Sequence, residues 1–201
     1  MNKLLGLSYK NELFRKLIHL LSIIFPIFYL FNTKTKTLYF LIIIFIIILI
    51  IEFSRNKKSL ISILFNKYLG NVVREYEKTG LMSATYLIIS ALLTIIIFDK
   101  NVAILALLIG SICDTSAAVF GMKFGKIYFY NNKSLEGTFA FIFSGLCIVC
   151  IYNIYTQYNL YIMGIIAVII SSITEHITPT KFDNLTIPLS AALSITLFKL
   201  L

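Results

Sequence analysis

Residues 37 to 53 read TLYFLIIIFIIILIIEF, seventeen positions whose only charged side chain, Glu52, stands next to the end. At 1.5 Å rise per residue, a helix of that length covers most of the ~30 Å hydrocarbon core of a bilayer. The apolar residues are continuous rather than alternating, which fits a membrane helix and not a barrel strand. Six further runs share this character: Phe14–Phe31, Leu81–Phe98, Val102–Phe120, Thr138–Tyr155, Leu160–Thr174 and Leu185–Leu201. The chain as a whole is 59% hydrophobic, with a mean hydropathy of +0.90, against about 45–50% apolar residues in soluble domains. The sequence therefore predicts an all-α integral membrane protein, a bundle of about seven transmembrane helices, with residues 1–201 forming a single membrane-embedded domain. The longest polar stretch, about 27 residues between the second and third runs, is too short for a separate soluble module.

The basic residues orient the bundle. With the N-terminus cytoplasmic, inner segments hold fourteen of the eighteen Lys and Arg side chains, from Lys3 through Lys58 to Lys181; outer segments hold Lys34, Lys36, Lys100 and Lys199. That asymmetry follows the positive-inside rule and predicts a multi-pass cell-membrane protein with its N-terminus in the cytoplasm. The charge of +9 is then a topology signal, with anionic headgroups as its ordinary partner. A nucleic-acid partner is excluded, because no basic stripe with interleaved aromatics lies outside the apolar runs. The first run has no small-residue cleavage pattern after it and is expected to be retained. Cys147 and Cys150 form a CxxC within an apolar run without further ligands, so packing explains them better than zinc or redox chemistry.

Carboxylates are scarce, nine in all, and on this topology eight gather on the cytoplasmic side, with Asp99 alone outside. A carboxylate against lipid is costly unless it is paired or serves a site. Glu75 and Glu77 read as solvated loop charge. Asp114 does not: it lies inside the fourth run, on a small-residue face with Gly110, Ala117, Ala118, Gly121 and Gly125. That face permits close helix approach, within the chain or in a dimer. The carboxylate on it points to metal binding or proton chemistry. Glu12, Arg15, Lys16 and His19 are spaced i, i+3, i+4 and i+7, so they share one face of the first helix. An intrahelical Glu12–Lys16 pair with a snorkelling Arg15 accounts for that pattern as well as a site does. Lys133, Ser134, Glu136, Gly137 and Thr138 open the fifth run. They suit an ordinary N-cap, and equally a phosphate cradle of free N–H groups beside a lysine. Asp183 and Asn184 open the last run, where either could be an N-cap.

Six motifs in order resemble a known family. They are Glu-x-x-Arg-Lys-x-x-His from Glu12 to His19, Glu-x-x-Arg at Glu52 and Arg55, Gly-Leu-Met-Ser-Ala-Thr-Tyr from Gly80 to Tyr86, Asp-x-x-Ala from Asp114, Lys-Ser-Leu-Glu-Gly-Thr from Lys133 to Thr138, and Asp-Asn-Leu-Thr-Ile-Pro from Asp183 to Pro188. Together they look like the polyprenol kinase family, which includes dolichol kinase, phytol kinase and the CTP-dependent diacylglycerol kinases. The likeness runs from about residue 12 to 190. Cys113 stands directly before Asp114 where that family usually has glycine.

The resemblance implies an enzyme that moves the γ-phosphoryl of CTP to the hydroxyl of a membrane lipid alcohol: a polyprenol, a phytol-like alcohol or diacylglycerol. The site would face the cytoplasm. Asp114, Glu136 and Asp183 would hold Mg²⁺, which prefers carboxylate oxygens. Arg15, Lys16 and Lys133, with the backbone of Ser134, Gly137 and Thr138, would bind nucleotide phosphates. Asp114 or His19 would serve as general base, with Glu136 also placed among the catalytic groups. Glu12, Glu52, Arg55 and Asn184 would support them. A phosphatidate cytidylyltransferase shares CTP and Mg²⁺, but its long C-terminal signature is absent here. A small transporter would also use Asp114 and His19, yet the halves show no inverted repeat.

Overall fold

Among the described residues, seven helical rods follow the seven apolar runs, and hydroxyl side chains cap three of them, those that begin at Tyr9, Lys34 and Leu135. The computed structural model describes residues 8–55, 57, 59–128 and 133–200, with backbone alone at residue 79. Lys3, Lys58 and Leu201 lie outside the described residues, as do residues 129–132 ahead of Lys133.

Ser8 accepts from the Asn11 N–H and starts α1 (Tyr9–Leu20), five residues before the apolar run begins. A 3₁₀ turn, Leu21–Ile23, joins it to α2 (Ile24–Phe31). Pro26, which cannot donate to an α-helical ladder, explains the tightened turn just before it. Thr33 caps α3 (Lys34–Ser54). The polar segment that follows is not a plain loop. It folds into α4 (Leu60–Tyr68), a 3₁₀ turn and α5 (Glu75–Thr79). Then come α6 (Ser83–Ile97), α7 (Lys100–Leu108), a π-helical turn (Ile109–Cys113), α8 (Asp114–Phe124), α9 (Leu135–Thr156), α10 (Tyr161–Ile177) and α11 (Asp183–Lys199).

Among the described residues, four continuous helices are long and apolar enough to cross a membrane: Tyr9–Phe31, Lys34–Ser54, Lys100–Phe124 and Leu135–Thr156. Ser83–Ile97 and Tyr161–Ile177 are apolar but shorter. The protein is thus an all-helical membrane protein. Its most enclosed rod is Lys100–Phe124, 72% buried, whose Ala103, Ile104, Leu105 and Ala106 have almost no exposure. The outward faces are apolar instead: Ile43, Ile47 and Ile50 on α3, Phe139 and Phe143 on α9, Ile162, Ile165, Ile169 and Ile173 on α10. Spacings of three and four residues make these continuous stripes, the surface expected against lipid rather than water.

The rods run alternately between two ends. At one end Lys34 reaches the Ile96 carbonyl, Lys100 that of Asn32, and Lys199 pairs with Asp99. The starts of α1, α6, α9 and α11 and the ends of α3, α8 and α10 therefore share the other end, which carries the remaining described acids. The small-residue face is spent on internal contacts. A Cβ on Gly137 would lie 2.7 Å from the Ala117 carbonyl oxygen, and one on Gly121 would lie 2.8 Å from Ser134 Oγ. These glycines bring α8 against α9. Gly110 does the same for α11, since a Cβ there would meet Pro188 Cγ at 2.6 Å. Cys113 is buried, whereas Cys147 and Cys150 are exposed, and all three are free thiols.

Candidate functional site

The π turn ends on Asp114. Single π-helical turns are rare and recur at functional sites. Here the turn hands α8 a first residue that faces the bundle interior, 3% exposed. Lys16 Nζ sits 2.6 Å from Asp114 Oδ2, and His19 Nε2 approaches the same oxygen at 3.4 Å. Both come from α1, one turn apart. The i+4 and i+7 members of the sequence motif thus converge on one acid, 98 positions from Lys16, and Lys16 is not paired with Glu12.

A second group lies alongside. Lys133 Nζ bonds both oxygens of Asp183, at 2.8 and 3.0 Å, and lies 3.2 Å from Glu175 Oε1. It also donates to the Glu175 carbonyl at the end of α10. Asp114 interacts electrostatically with Lys133, and Asp183 and Glu175 with Asp114, so the two groups form one cluster. Three carboxylates, two ammonium groups and an imidazole arrive from α1, α8, the segment before α9, α10 and α11. Every charged member is less than 9% exposed. Burial costs several kcal/mol per ion, repaid only where geometry is good, so replacing such a set with apolar residues is often neutral or stabilising. Stability is therefore a poor reason for this cluster, and chemistry a better one.

Glu175 is one of the eight acids that the sequence gathers on the cytoplasmic side, but the sequence assigns it no role at the site. Its signal was present: Ser171, Ser172 and Glu175 share a face of α10, and all three are buried.

Other expected site residues are placed differently. Among the described residues no three His, Cys, Asp or Glu side chains are arranged as a metal site, so Asp114, Glu136 and Asp183 do not form a three-acid cage. Glu136 turns toward the backbone of Lys126 and Ile127, with Oε2 buried and unpartnered. The phosphate cradle is also closed. Ser134 Oγ accepts from the Gly137 N–H, the Thr138 N–H bonds the Ser134 carbonyl, and the Leu135 N–H bonds that of Ile127. Thr138 Oγ1 lies 3.3 Å from His176 Nδ1. This is the ordinary N-cap that the sequence equally allowed.

Arg15, Arg55, Glu12 and Glu52 belong to a separate network at the charged end. Arg15 bonds Glu12 and Ser83 Oγ, while Glu12 pairs with Arg74. Glu52 accepts from Met82 N and Thr85 Oγ1 and pairs with Arg55, which donates to the Glu77 and Gly80 carbonyls. Glu77 accepts from the backbone N–H groups of Arg74 and Ser83, at 2.9 and 2.8 Å. Its 4% exposure corrects the reading of Glu77 as loop charge; Glu75, paired with Lys78 at the surface, fits that reading. Arg74 is the residue the sequence hid. Burial works against its charge, but Glu12 and Tyr76 outweigh that and lift the guanidinium further above its usual range. Asn184 ties this network to α11 through the Ser83 carbonyl, at 2.9 Å. These bonds clamp the segment from Arg74 to Ser83 onto α1, α3 and α11.

The clamp predicts unequal costs. Arg74→Met should destabilise the protein by about 3–5 kcal/mol, because Glu12 loses one of its two arginines in a buried site. Glu75→Gln, on an exposed pair, should cost less than about 1 kcal/mol. Thermal unfolding of both variants in detergent checks the contrast; similar melting temperatures would refute it.

An all-helical membrane protein with a buried acid–lysine–histidine cluster is the class that fold and site define. Within it, the chain belongs to the family of the uncharacterized protein RP860 of Rickettsia prowazekii (strain Madrid E). The two are 34% identical over 195 residues, 92% of this chain and 93% of the relative. A partial likeness extends to CTP-dependent diacylglycerol kinase 1 of Schizosaccharomyces pombe, 32% identical over 87 residues, 42% of this chain and 40% of that kinase. No protein-family model matches the chain. No solved structure matches it.

Proposed function

We propose that the protein is a lipid kinase that transfers the γ-phosphoryl group of CTP to the hydroxyl of a membrane lipid alcohol, with all seven rods crossing the bilayer and the clustered end facing the cytoplasm. The observation that carries this reading is the buried convergence of Asp114 with Lys16, and of Asp183 and Glu175 with Lys133, at one end of the bundle. The partial relative is a CTP-dependent diacylglycerol kinase, which supports the same class of reaction. The likeness leaves the lipid open among polyprenols, phytol-like alcohols and diacylglycerol.

Phosphoryl transfer asks for charge neutralisation and positioning more than for covalent chemistry. Lys16 and Lys133 supply two ammonium groups less than about 3 Å from their carboxylates, so arriving phosphates compete with those carboxylates for them. Asp114 and Asp183 are then the residues that would hold Mg²⁺. The lack of a three-acid cage fits that ion, which is usually bound by one or two carboxylates, waters and substrate phosphates. When bound it would offset charge on the phosphoryl oxygens. The lipid oxygen attacks the γ-phosphorus, the bond to the nucleoside diphosphate breaks, and the hydroxyl proton passes to Asp114 or His19, which lie side by side.

CTP labelled separately at the α- and γ-phosphates tests the reading. Label should enter lipid only from the γ position. Entry of the α label would instead mark a cytidylyltransferase, and entry of neither would overturn the kinase reading.

A further inference from the structure

Beneath Asp114 lies a cavity of about 10 Å³ between α1, α6, the π turn and α11, lined by His19, Ser22, Phe25, Leu87, Ala91 and Asn184, with Gly110 and Pro188 at one wall. Such a space holds roughly one water-sized group. Its polar lining is His19, Asn184 and the pair of Ser22 and Ser111, whose hydroxyls are 2.7 Å apart; Phe25, Leu87 and Ala91 supply apolar lining.

A polar atom of this lining is unaccounted for. His19 Nε2 is buried without a hydrogen-bond partner, on a side chain 8% exposed. The other ring nitrogen faces the Gly110 carbonyl, an arrangement that favours the proton there and Nε2 as an acceptor. A buried acceptor left unpaired is costly, and Asp114 Oδ2, 3.4 Å away, is an acceptor too. The vacant partner is therefore a donor, and a hydroxyl is a donor of the right size. Two walls of the cavity, α1 and α6, barely pack on each other; at their charged ends the Arg15–Ser83 bond joins them. Leu87 lines the cavity and is itself partly exposed, which marks the seam between α1 and α6 as the short way from the cavity to the bilayer.

We propose that this cavity is the acceptor subsite: it takes the hydroxyl of a lipid alcohol, hydrogen-bonded to His19 Nε2, while the hydrocarbon chain leaves between α1 and α6 into the bilayer. The assignment rests on the lipid-kinase reading and adds where the lipid binds and how it enters. It places the acceptor oxygen next to Asp114, at the edge of the cluster that would hold the phosphates.

Photolabelling tests this without requiring turnover. The full-length protein in detergent is irradiated with a long-chain primary alcohol carrying a diazirine within three carbons of the hydroxyl, and adducts are mapped by mass spectrometry. Adducts should fall on α1 and α6 around Phe25, Leu87 and Ala91, and excess unlabelled alcohol should abolish them. Leu87→Phe narrows the seam at a partly exposed position and should lower this labelling about tenfold, with the CTP-dependent rise in melting temperature unchanged. Leu87→Ala, which opens the seam, should label at least as well as wild type. Adducts confined to the outer faces of α3 and α10, or equal labelling of wild type and Leu87→Phe, would overturn the subsite and leave the cavity as a water site. Labelling at the subsite, with no lipid phosphorylated by wild-type protein, would keep the pocket and sink the kinase reading alone.

Discussion

In the Asp114→Asn protein, γ-phosphoryl transfer to lipid is expected to fall by a factor on the order of 10²–10³, the loss typical when one preorganised electrostatic group leaves an active site. The substitution keeps the shape of the side chain and removes its charge. Lys16 then holds an ammonium less than 9% exposed without its carboxylate, and a buried pair broken on one side costs about 3–5 kcal/mol. Lost activity would by itself be ambiguous between chemistry and folding. The ambiguity is resolved by removing both partners. Lys16→Met combined with Asp114→Leu replaces the pair with apolar side chains of similar size, which is often neutral or stabilising. That double variant should melt near the wild-type temperature and still transfer no label. Recovery of activity along with stability would show that the pair is structural and would end the assignment of Asp114 to phosphoryl chemistry.

The rods were legible because their signal is local: an uninterrupted apolar run of near-spanning length needs no partner to be recognised. Their ends were less so. The sequence starts the first span at Phe14, but Ser8 begins the helix at Tyr9, so Glu12 stands on the same continuous rod as the apolar run. Asp114, Lys16 and His19 were each visible as polar residues on apolar faces. Their pairing was not, because 98 positions separate Lys16 from Asp114 and nothing along the chain records which helices touch. Ser134 to Thr138 failed in the opposite direction. An N-cap and an anion site use the same N–H groups, and only the bonds from Gly137 and Thr138 back to Ser134 show the first. Glu77 and Glu75 are two residues apart with like composition around them, yet one is clamped and the other solvated. That difference is local: Glu77, the third residue of α5, reaches back to the Arg74 N–H in a capping box and also accepts from the Ser83 N–H six positions on.

Lys133→Met is expected to be the most damaging single change at the other half of the cluster. One ammonium there serves two acids, Asp183 and Glu175, and also the carbonyl that ends α10. Its loss leaves two neighbouring carboxylates in a buried site, each with several kcal/mol of unmet desolvation. A cost of about 3–5 kcal/mol, at roughly 2–4 °C per kcal/mol for a chain of this size, should lower the melting temperature by about 10 °C. Lys133→Arg keeps the charge and should recover part of that loss, although a planar fork cannot reproduce a point charge shared among three acceptors. The decisive variant combines Lys133→Met with Glu175→Gln and Asp183→Asn. It removes the uncompensated charge, so its melting temperature should return toward wild type. If Lys133 and Asp183 serve the nucleotide, this restored protein should no longer be stabilised by CTP with Mg²⁺. A preserved nucleotide-dependent shift would mean that the second acid–lysine group only fastens α9, α10 and α11 together, and that the phosphates bind elsewhere.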